Sequence, residues 1–309
     1  MSSNRPGDRL SALLGTARES LVVVAPFIKA AALRRALPEP YDRALTVITR
    51  WRPEEIHAGV SDLEVFDVVT SRPGATLRLC DRLHAKYYRA DHQVLLGSAN
   101  LTDLGMGWRP GANIELLQPH AYDGDMKAFE GLILAESTPA TQQLRDLMAG
   151  IVAELPAGAP PQPDPAAAPR APSDPDSADA RWLPRSRHPG NLFLAYTGER
   201  ERVTSAAWDD AGVDLAALAL PPGLSRRPFE RYVAALLLQH PTVQHLDVIA
   251  RQSHRFGRAK VLLSTEPSAA GSGRAADELL QTLMRWLIHF LPGQYEITVG
   301  RYSESLRRR

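Results

Sequence analysis

The amino-acid sequence predicts an α/β fold with a mixed, mainly parallel sheet flanked by helices, followed by a second, smaller α+β domain. The short, unbroken apolar run at residues 21–25 is typical of a strand that is buried on both faces, and residues 45–49 form a second, mainly apolar strand pattern. Helical patterns of apolar residues separate these runs, and strands that alternate with helices favour an α/β sheet. A proline-rich stretch then divides the chain into two parts.

The first part of the chain contains the elements of the predicted sheet in order. Pro53 fits the first turn of a helix, and Ser61 stands three residues ahead of Glu64, as in a helix N-cap. The predicted helices cover residues 9–19, 28–37, 54–59, a segment that opens at Ser61, and 126–152 as one or two helices. The predicted strands are 21–25, 45–49, 76–80, 83–90, 94–96 and 114–117.

Residues 155–180 form the predicted boundary between domains. They are rich in proline and alanine, and no aliphatic residue larger than alanine follows Leu155, so they cannot bury enough apolar surface to offset their ordering entropy. The sequence therefore predicts a catalytic domain at 1–154, an extended linker at 155–180 and an α+β domain at 181–309. The last of these has predicted strands at 192–196, 246–250, 261–264 and 294–299, and predicted helices at 228–239 and 276–291.

Composition and charge indicate which classes of protein the chain does not fit. A single cysteine, Cys80, excludes an internal disulfide framework and favours a reducing cytoplasm. The apolar stretch 279–291 is interrupted by Arg285 and His289 and is shorter than the ~20 residues that span a bilayer. With no apolar leader in the first residues, we expect no secretory signal and no stable membrane association. Residues 181–309 carry 18 Lys and Arg against 12 Asp and Glu, which favours a polyanion partner or simply a mixed solvated surface.

Residues 83–100 contain the side chains that suit a phosphate group. His84 and Lys86 would share one face of a strand with Tyr88, and a short return strand would bring Ser98 and Asn100 close to them. Lysine supplies a point charge, while hydroxyl and amide groups supply hydrogen-bond donors. Histidine is the group among them that can act as a nucleophile or proton carrier near neutral pH.

This stretch resembles the phospholipase D superfamily, whose signature is His-x-Lys, four residues, Asp, about six residues and Gly-Ser-x-Asn. His84, Lys86, Asp91, Gly97, Ser98 and Asn100 follow that pattern, with a spacer after Asp91 that is one residue short. The downstream Asn-x-Glu of the family corresponds to Asn113 and Glu115. The resemblance covers roughly residues 9–150, about half of the chain.

The resemblance implies a phosphodiester hydrolase that forms a covalent phosphohistidine and needs neither a metal nor another cofactor. Each active site of the family takes two motifs, and this chain has one, so the resemblance implies a homodimer that pairs His84 from two subunits. Short single-motif bacterial members include nucleases, and one restriction enzyme joins such a domain to a C-terminal DNA-recognition domain. DNA cleavage in restriction or phage defence is the leading hypothesis. The alternatives are a lipid phosphodiesterase and a module that binds phosphate or nucleic acid without turnover.

Each candidate residue has a second interpretation. His84, Lys86 and Asn100 are predicted to act on the phosphate, whereas Ser98 either donates to it or shapes the turn. Glu115 either orients a motif histidine, as the resemblance implies, or is a surface acid. Three further residues are predicted to have structural roles in the motif: Asp91, Gly97 and Asn113. Another three are predicted to contact the substrate: Trp51, Arg52 and Tyr88. For the two aromatic rings, packing is the alternative. Cys80 is predicted to be a buried thiol rather than a partner of His84, because residues four apart on a strand lie ~13 Å apart.

Overall fold

The computed structural model of the protein describes residues 5–39, 43–155, 182–251, 259, 261, 263, 276–299 and 304–309. The chain divides into two compact units, Met1–Pro161 and Gln162–Arg309. Apart from Leu155, the predicted linker at 155–180 lies outside the described residues, so its extended conformation stays a prediction.

The N-terminal unit is built around a mixed sheet. Its described strands are β1 (Ser20–Val24), β2 (Ala44–Thr49), β3 (Ala75–Leu79), β4 (Tyr87–Ala90), β5 (Gln93–Gly97), β6 (Leu117–Ala121) and β7 (Thr138–Pro139). They lie in the order β6-β5-β4-β1-β2-β3-β7. The pairs β1–β2 and β2–β3 are parallel, while the pairs β1–β4, β4–β5, β5–β6 and β3–β7 are antiparallel. The mixed α/β fold is therefore confirmed, and its parallel part is the group β1–β3.

Helices connect and cover these strands. They are α1 (Pro6–Gly15), α2 (Ala30–Ala36), α3 (Pro53–His57), α4 (Val65–Thr70), α5 (Gly124–Glu136) and α6 (Gln142–Glu154). Pro53 is in the first turn of α3, as predicted, and the side chains of Asp123 and Thr141 cap the N-termini of α5 and α6. The last four residues of β1 are buried, which is why its sequence is an unbroken apolar run.

A hydrophobic cluster lies beneath the residues that carry the motif. It joins Leu83 and Tyr87 to side chains of β1, β2 and β5 and to Ile133 of α5. Burial of a side chain of this size contributes roughly 1.5–3 kcal/mol to stability. The core therefore holds one side of the segment that carries the motif, while the opposite side remains accessible.

The C-terminal unit is mainly helical where the structure describes it. Its helices are α7 (Gly190–Tyr196), α8 (Ser205–Leu218), α9 (Arg226–Gln239), α10 (Pro241–Arg251) and α11 (Ala276–Phe290), with a 3₁₀ turn at Arg200–Arg202. Strands β8 (Tyr295–Val299) and β9 (Glu304–Arg308) form an antiparallel pair. Buried Asp214 accepts hydrogen bonds from the indole N–H of Trp182 and the backbone N–H groups of Arg185 and Ser186, and so ties the start of the unit to α8.

Several predicted elements differ from the structure. The predicted strands 192–196 and 246–250 are wrong: both lie in helices, α7 and α10. In α10 the buried residues Val243, Leu246 and Ala250 recur at helical spacing. The predicted strand at 114–117 is displaced, since β6 begins at Leu117, and the helix expected to open at Ser61 begins at Val65. In the predicted strand 261–264, Val261 and Leu263 are helical, which contradicts a strand there, and the other two residues lie outside the described residues.

Candidate active site

Apart from Asp91, the motif residues lie at one end of the sheet, because three antiparallel strands bring them there. The register of β4 and β5 places Tyr87 opposite Leu96, and the Gly97 N–H donates to the Lys86 carbonyl at 3.3 Å. Residues 84–86 therefore lie beside residues 97–99. The register of β5 and β6 places Gly97 opposite Leu117, which brings Glu115 to the same end. The carboxyl ends of β1 and β2 lie there too, since β1 is antiparallel to β4 and parallel to β2.

His84 and Lys86 precede β4 instead of belonging to it. The predicted strand 83–90 begins only at Tyr87, so strand alternation does not determine where these two side chains point. Local hydrogen bonds hold this segment: the Leu83 N–H donates to the Cys80 carbonyl at 3.1 Å, and the Lys86 ammonium donates to the His84 carbonyl at 2.8 Å. His84 is exposed and Lys86 is partly exposed, so both can be reached by a substrate.

Gly97 is required by a close approach of two strands. A Cβ atom added at this position would lie 1.7 Å from the carbonyl oxygen of Leu116 and 2.7 Å from its carbonyl carbon. Both are backbone atoms that cannot move aside without breaking the pairing of β5 with β6. The glycine of the Gly-Ser-x-Asn sequence thus lets the segment before β6 pass directly beside the motif.

Ser98 and Asn113 together hold Glu115. The Ser98 hydroxyl donates to one carboxylate oxygen of Glu115 and accepts from the Leu116 N–H at 3.1 Å. The side-chain amide of Asn113 donates to the other carboxylate oxygen at 3.2 Å. The Ser98 proton is therefore directed at Glu115, an arrangement that favours shaping of the site over direct donation to a phosphate.

Asn100 has its amide orientation set by a backbone group. Its side-chain oxygen accepts a hydrogen bond from the Phe27 N–H at 3.4 Å, in the loop that follows β1. Since only the oxygen of the amide can accept, the NH₂ group is the end left to donate. This is the polarity that an anionic phosphate oxygen requires.

Comparisons with known proteins add a distant structural likeness. No protein-family model matches the sequence. No curated protein matches it either. Among solved structures, the chain is similar to NucT from Helicobacter pylori at 16% identity and a TM-score of 0.35, over 43% of this chain and 89% of NucT. It is also similar to Nuc from Salmonella typhimurium, described as a phospholipase D family member, at 16% identity and a TM-score of 0.30, over 43% of this chain and 90% of Nuc.

In its signature residues the chain resembles the phospholipase D superfamily. Both structural similarities are distant, so the resemblance rests on the six signature residues, in order, and on the strand register that brings five of them, all but Asp91, to one end of the sheet. The catalytic roles of His84, Lys86, Asn100, Ser98 and Glu115 stay predictions at this point.

Asp91, the acid of the phospholipase D signature, binds backbone rather than facing the other motif residues. Its carboxylate accepts from the backbone N–H groups of Arg18, Glu19 and Ser20 at 2.7–2.9 Å, just before β1. Burial raises the pKa of the Asp91 carboxyl, but the three N–H donors together bring that pKa below its ordinary value. The contacts favour the predicted structural role, in the turn that joins β4 to β5.

Two of the predicted substrate contacts lie in the core. Trp51 is 1% exposed and Tyr88 is 0% exposed. The Tyr88 hydroxyl donates to the Ala99 carbonyl at 2.7 Å, and burial followed by the Glu115 charge raises the pKa of this phenol. The structure therefore contradicts a substrate contact for both rings, and the packing alternative explains them.

Arg52 and Arg50 contact the turn that precedes His84. The Arg52 guanidinium donates to the carboxylate and to the carbonyl of Asp81, both at 3.0 Å. Arg50 is 5% exposed and donates to the Leu83 carbonyl at 3.1 Å. Arg50 is not among the residues predicted from the sequence, although four charged residues directly after a buried strand are a visible signal (Arg50, Arg52, Glu54 and Glu55).

Two further findings concern metals and membranes. Within the described part of the chain, no group of three or more His, Cys, Asp or Glu residues is placed to hold a metal ion. No helix among the described residues has the length and apolar character needed to cross a membrane.

Proposed function

We propose that this chain is a metal-independent phosphodiesterase of the phospholipase D type that cleaves DNA through a phosphohistidine at His84. The observation that supports the proposal is that His84 and Lys86 are accessible and that the Lys86 carbonyl accepts from the N–H of Gly97, the first residue of the Gly-Ser-x-Asn sequence, at 3.3 Å. The negatively charged oxygens of a phosphodiester can be bound at this end of the sheet by an imidazole, an ammonium and an oriented amide donor.

The proposed reaction has two steps that share one phosphorus atom. The His84 imidazole forms a bond to phosphorus, the bond to the leaving oxygen breaks, and a second imidazole gives its proton to that oxygen. A water molecule then attacks the phosphohistidine, gives a proton to the second imidazole and releases His84. Lys86 and the Asn100 amide stabilise the extra negative charge of each pentacovalent transition state, and Glu115 orients one of the two imidazoles.

The second imidazole comes from a second copy of the chain. The sequence has one His-x-Lys pair, so a complete site requires a partner. An apolar strip beside the site supports this: Ile114 is 104% exposed, Leu116 56% and Leu104 42%. The Asn113 N–H donates to the Leu104 carbonyl at 3.1 Å, which keeps the strip together. Large apolar side chains exposed in one place are typical of protein interfaces, and a two-fold interface would bury the strip of both copies together.

DNA is favoured over lipid by the charge of the second unit. Residues 181–309 carry 18 Lys and Arg against 12 Asp and Glu, an excess that attracts a polyanion. The layout of a catalytic unit followed by a basic unit suits restriction or phage defence. Lipid headgroups and binding without turnover remain the competing functions.

The function is tested by a panel of substrates offered to the purified protein with and without EDTA. The panel contains an aryl phosphodiester, duplex DNA, single-stranded DNA and phosphatidylcholine vesicles. We expect turnover of the aryl ester and of DNA, unchanged in EDTA, because the imidazole replaces a metal-activated water. Loss of activity in EDTA would contradict the metal-free reaction. Turnover of lipid alone would contradict the proposed nuclease and favour a lipid phosphodiesterase. Absence of turnover on every substrate would favour a module that binds phosphate or nucleic acid without turnover.

The shared site is tested by Ile114→Asp. A charge placed in the apolar strip should prevent burial of that strip, so the protein should sediment as a monomer and lose activity by about tenfold or more. Leu132→Asp is the matched control, since Leu132 is 60% exposed on α5 and is not part of the strip. It should remain dimeric and active. A wild-type protein that is monomeric at its working concentration and fully active would overturn the shared site.

A further inference from the structure

Three charged side chains beneath the motif form a cluster that the proposed reaction does not use. They are Arg50, Arg52 and Glu55, in the segment that runs from the end of β2 into α3. Arg50 donates to Glu55 through Nε at 3.1 Å and through Nη2 at 2.5 Å, and Arg52 lies 4.0 Å from the same carboxylate. We call these three residues the basic clamp.

The basic clamp holds both ends of the turn that leads to His84. Arg52 binds Asp81 twice at 3.0 Å, and Arg50 binds the Leu83 carbonyl at 3.1 Å. The Leu83 carbonyl belongs to the peptide group that contains the His84 nitrogen, and a peptide group is planar. Fixing that carbonyl therefore fixes the plane from which the His84 side chain departs.

The ion pair between Arg50 and Glu55 is buried, so either charge would destabilise the protein if its partner were missing. The Arg50 and Glu55 side chains are only 5% and 6% exposed. Burial raises the pKa of the Glu55 carboxyl, while the hydrogen bonds and charge of Arg50 oppose that rise. A buried ion pair of this kind gives little net stability compared with apolar side chains of similar volume, so stability alone is a weak reason for its presence.

The basic clamp also reaches the second half of the motif. The Arg50 guanidinium lies over the Phe27 ring, with 5.2 Å from its central carbon to the ring centroid. The Phe27 N–H in turn donates to the side-chain oxygen of Asn100. One buried guanidinium thus packs against the residue that orients Asn100 and binds the peptide group that precedes His84.

We infer that Arg50, supported by Glu55 and Arg52, is a positioning residue that holds the His84 imidazole and the Asn100 amide in reactive geometry. The inference rests on the proposed function, since it deepens the same site. It acts through the backbone, so Arg50 touches no substrate. Arginine suits the role because its planar fork can bind the carboxylate with two donors and the carbonyl with a third, whereas a lysine ammonium cannot span all of them.

The test is Arg50→Lys, which keeps the charge and removes the fork. We expect kcat on the aryl phosphodiester to fall by about 10- to 100-fold, with KM within about twofold, because misplacing a reactive group by about an ångström has that effect on rate. The His84 Cε1–H resonance, assigned by its loss in His84→Gln, should shift and broaden in Arg50→Lys. Glu55→Gln should produce a smaller change of the same kind.

Arg78→Lys is the matched control. Arg78 is another partly buried arginine that binds backbone, but its guanidinium donates to the carbonyls of Leu134 and Ser137, at 3.1 and 2.6 Å, where α5 ends. The substitution should lower the unfolding temperature without changing kcat or the His84 resonance. An unchanged resonance together with an unchanged kcat in Arg50→Lys would overturn the positioning role. If the wild-type protein hydrolyses no phosphodiester, the proposed function fails, and the resonance still decides whether Arg50 positions His84.

Discussion

Replacing His84 by alanine is expected to reduce hydrolysis of the aryl phosphodiester and of DNA by at least about 10³-fold, because the residue is the proposed nucleophile. His84 is exposed and precedes β4, so its removal should leave the fold intact and the unfolding temperature nearly unchanged. Steady-state rates measured beside thermal unfolding would separate the loss of chemistry from any loss of structure.

Two further measurements address the covalent step. Imidazole added in solution should restore part of the activity of His84→Ala, since it can enter the space that the side chain leaves. A labelled phosphodiester quenched during turnover should leave phosphate on the wild-type protein and none on the variant. His92→Ala is the matched control, because His92 is also exposed and lies in the turn between β4 and β5. Undiminished turnover by His84→Ala would rule out the proposed nucleophile.

Gly97→Ala is expected to be the most damaging small substitution in the N-terminal unit. Its methyl group would lie 1.7 Å from the Leu116 carbonyl oxygen, so β5 and the segment before β6 must separate. We expect a loss of about 3 kcal/mol in the free energy of unfolding, at the upper end for overpacking, as measured by urea denaturation. Activity should fall by about 100-fold as well, because the Ser98–Glu115 hydrogen bond spans the same gap.

Gly131→Ala shows whether this effect comes from the contact and not from the loss of a glycine. Gly131 lies in α5 and is exposed, and a Cβ atom added there would meet nothing within 4 Å. Alanine should there be neutral or raise stability by up to about 1 kcal/mol, since it is the better helix former. Equal stability of Gly97→Ala and wild type would mean that the two strands are farther apart than the structure gives.

The sequence was most informative where local pattern and chemistry agree. An unbroken apolar run predicted β1, a mainly apolar run predicted β2, and Pro53 predicted α3, because strand burial and the missing proline N–H act within a few residues. It was least informative in the C-terminal unit. There, a short apolar run such as 192–196 fits a buried strand or a helix equally well, and packing of the whole unit decides between them.

The displaced edge strand has a similar cause. The apolar residues Ile114 and Leu116 predicted a strand, yet β6 begins at Leu117 and contains Pro119, which an edge strand tolerates. Apolar character reports a tendency to be buried, and a single chain leaves these two side chains exposed. Their burial depends on a surface beyond the described residues, and the proposed dimer would supply one.

The sequence by itself determined the α/β character of the first unit and the identity of the motif residues, because both depend on side-chain types at short spacings. Only the tertiary structure decided that Trp51 and Tyr88 are core residues, that Ser98 holds Glu115, and that Arg50 holds the peptide group before His84. Those contacts join residues far apart in the chain. Strand order and register create such contacts, and no local pattern encodes them.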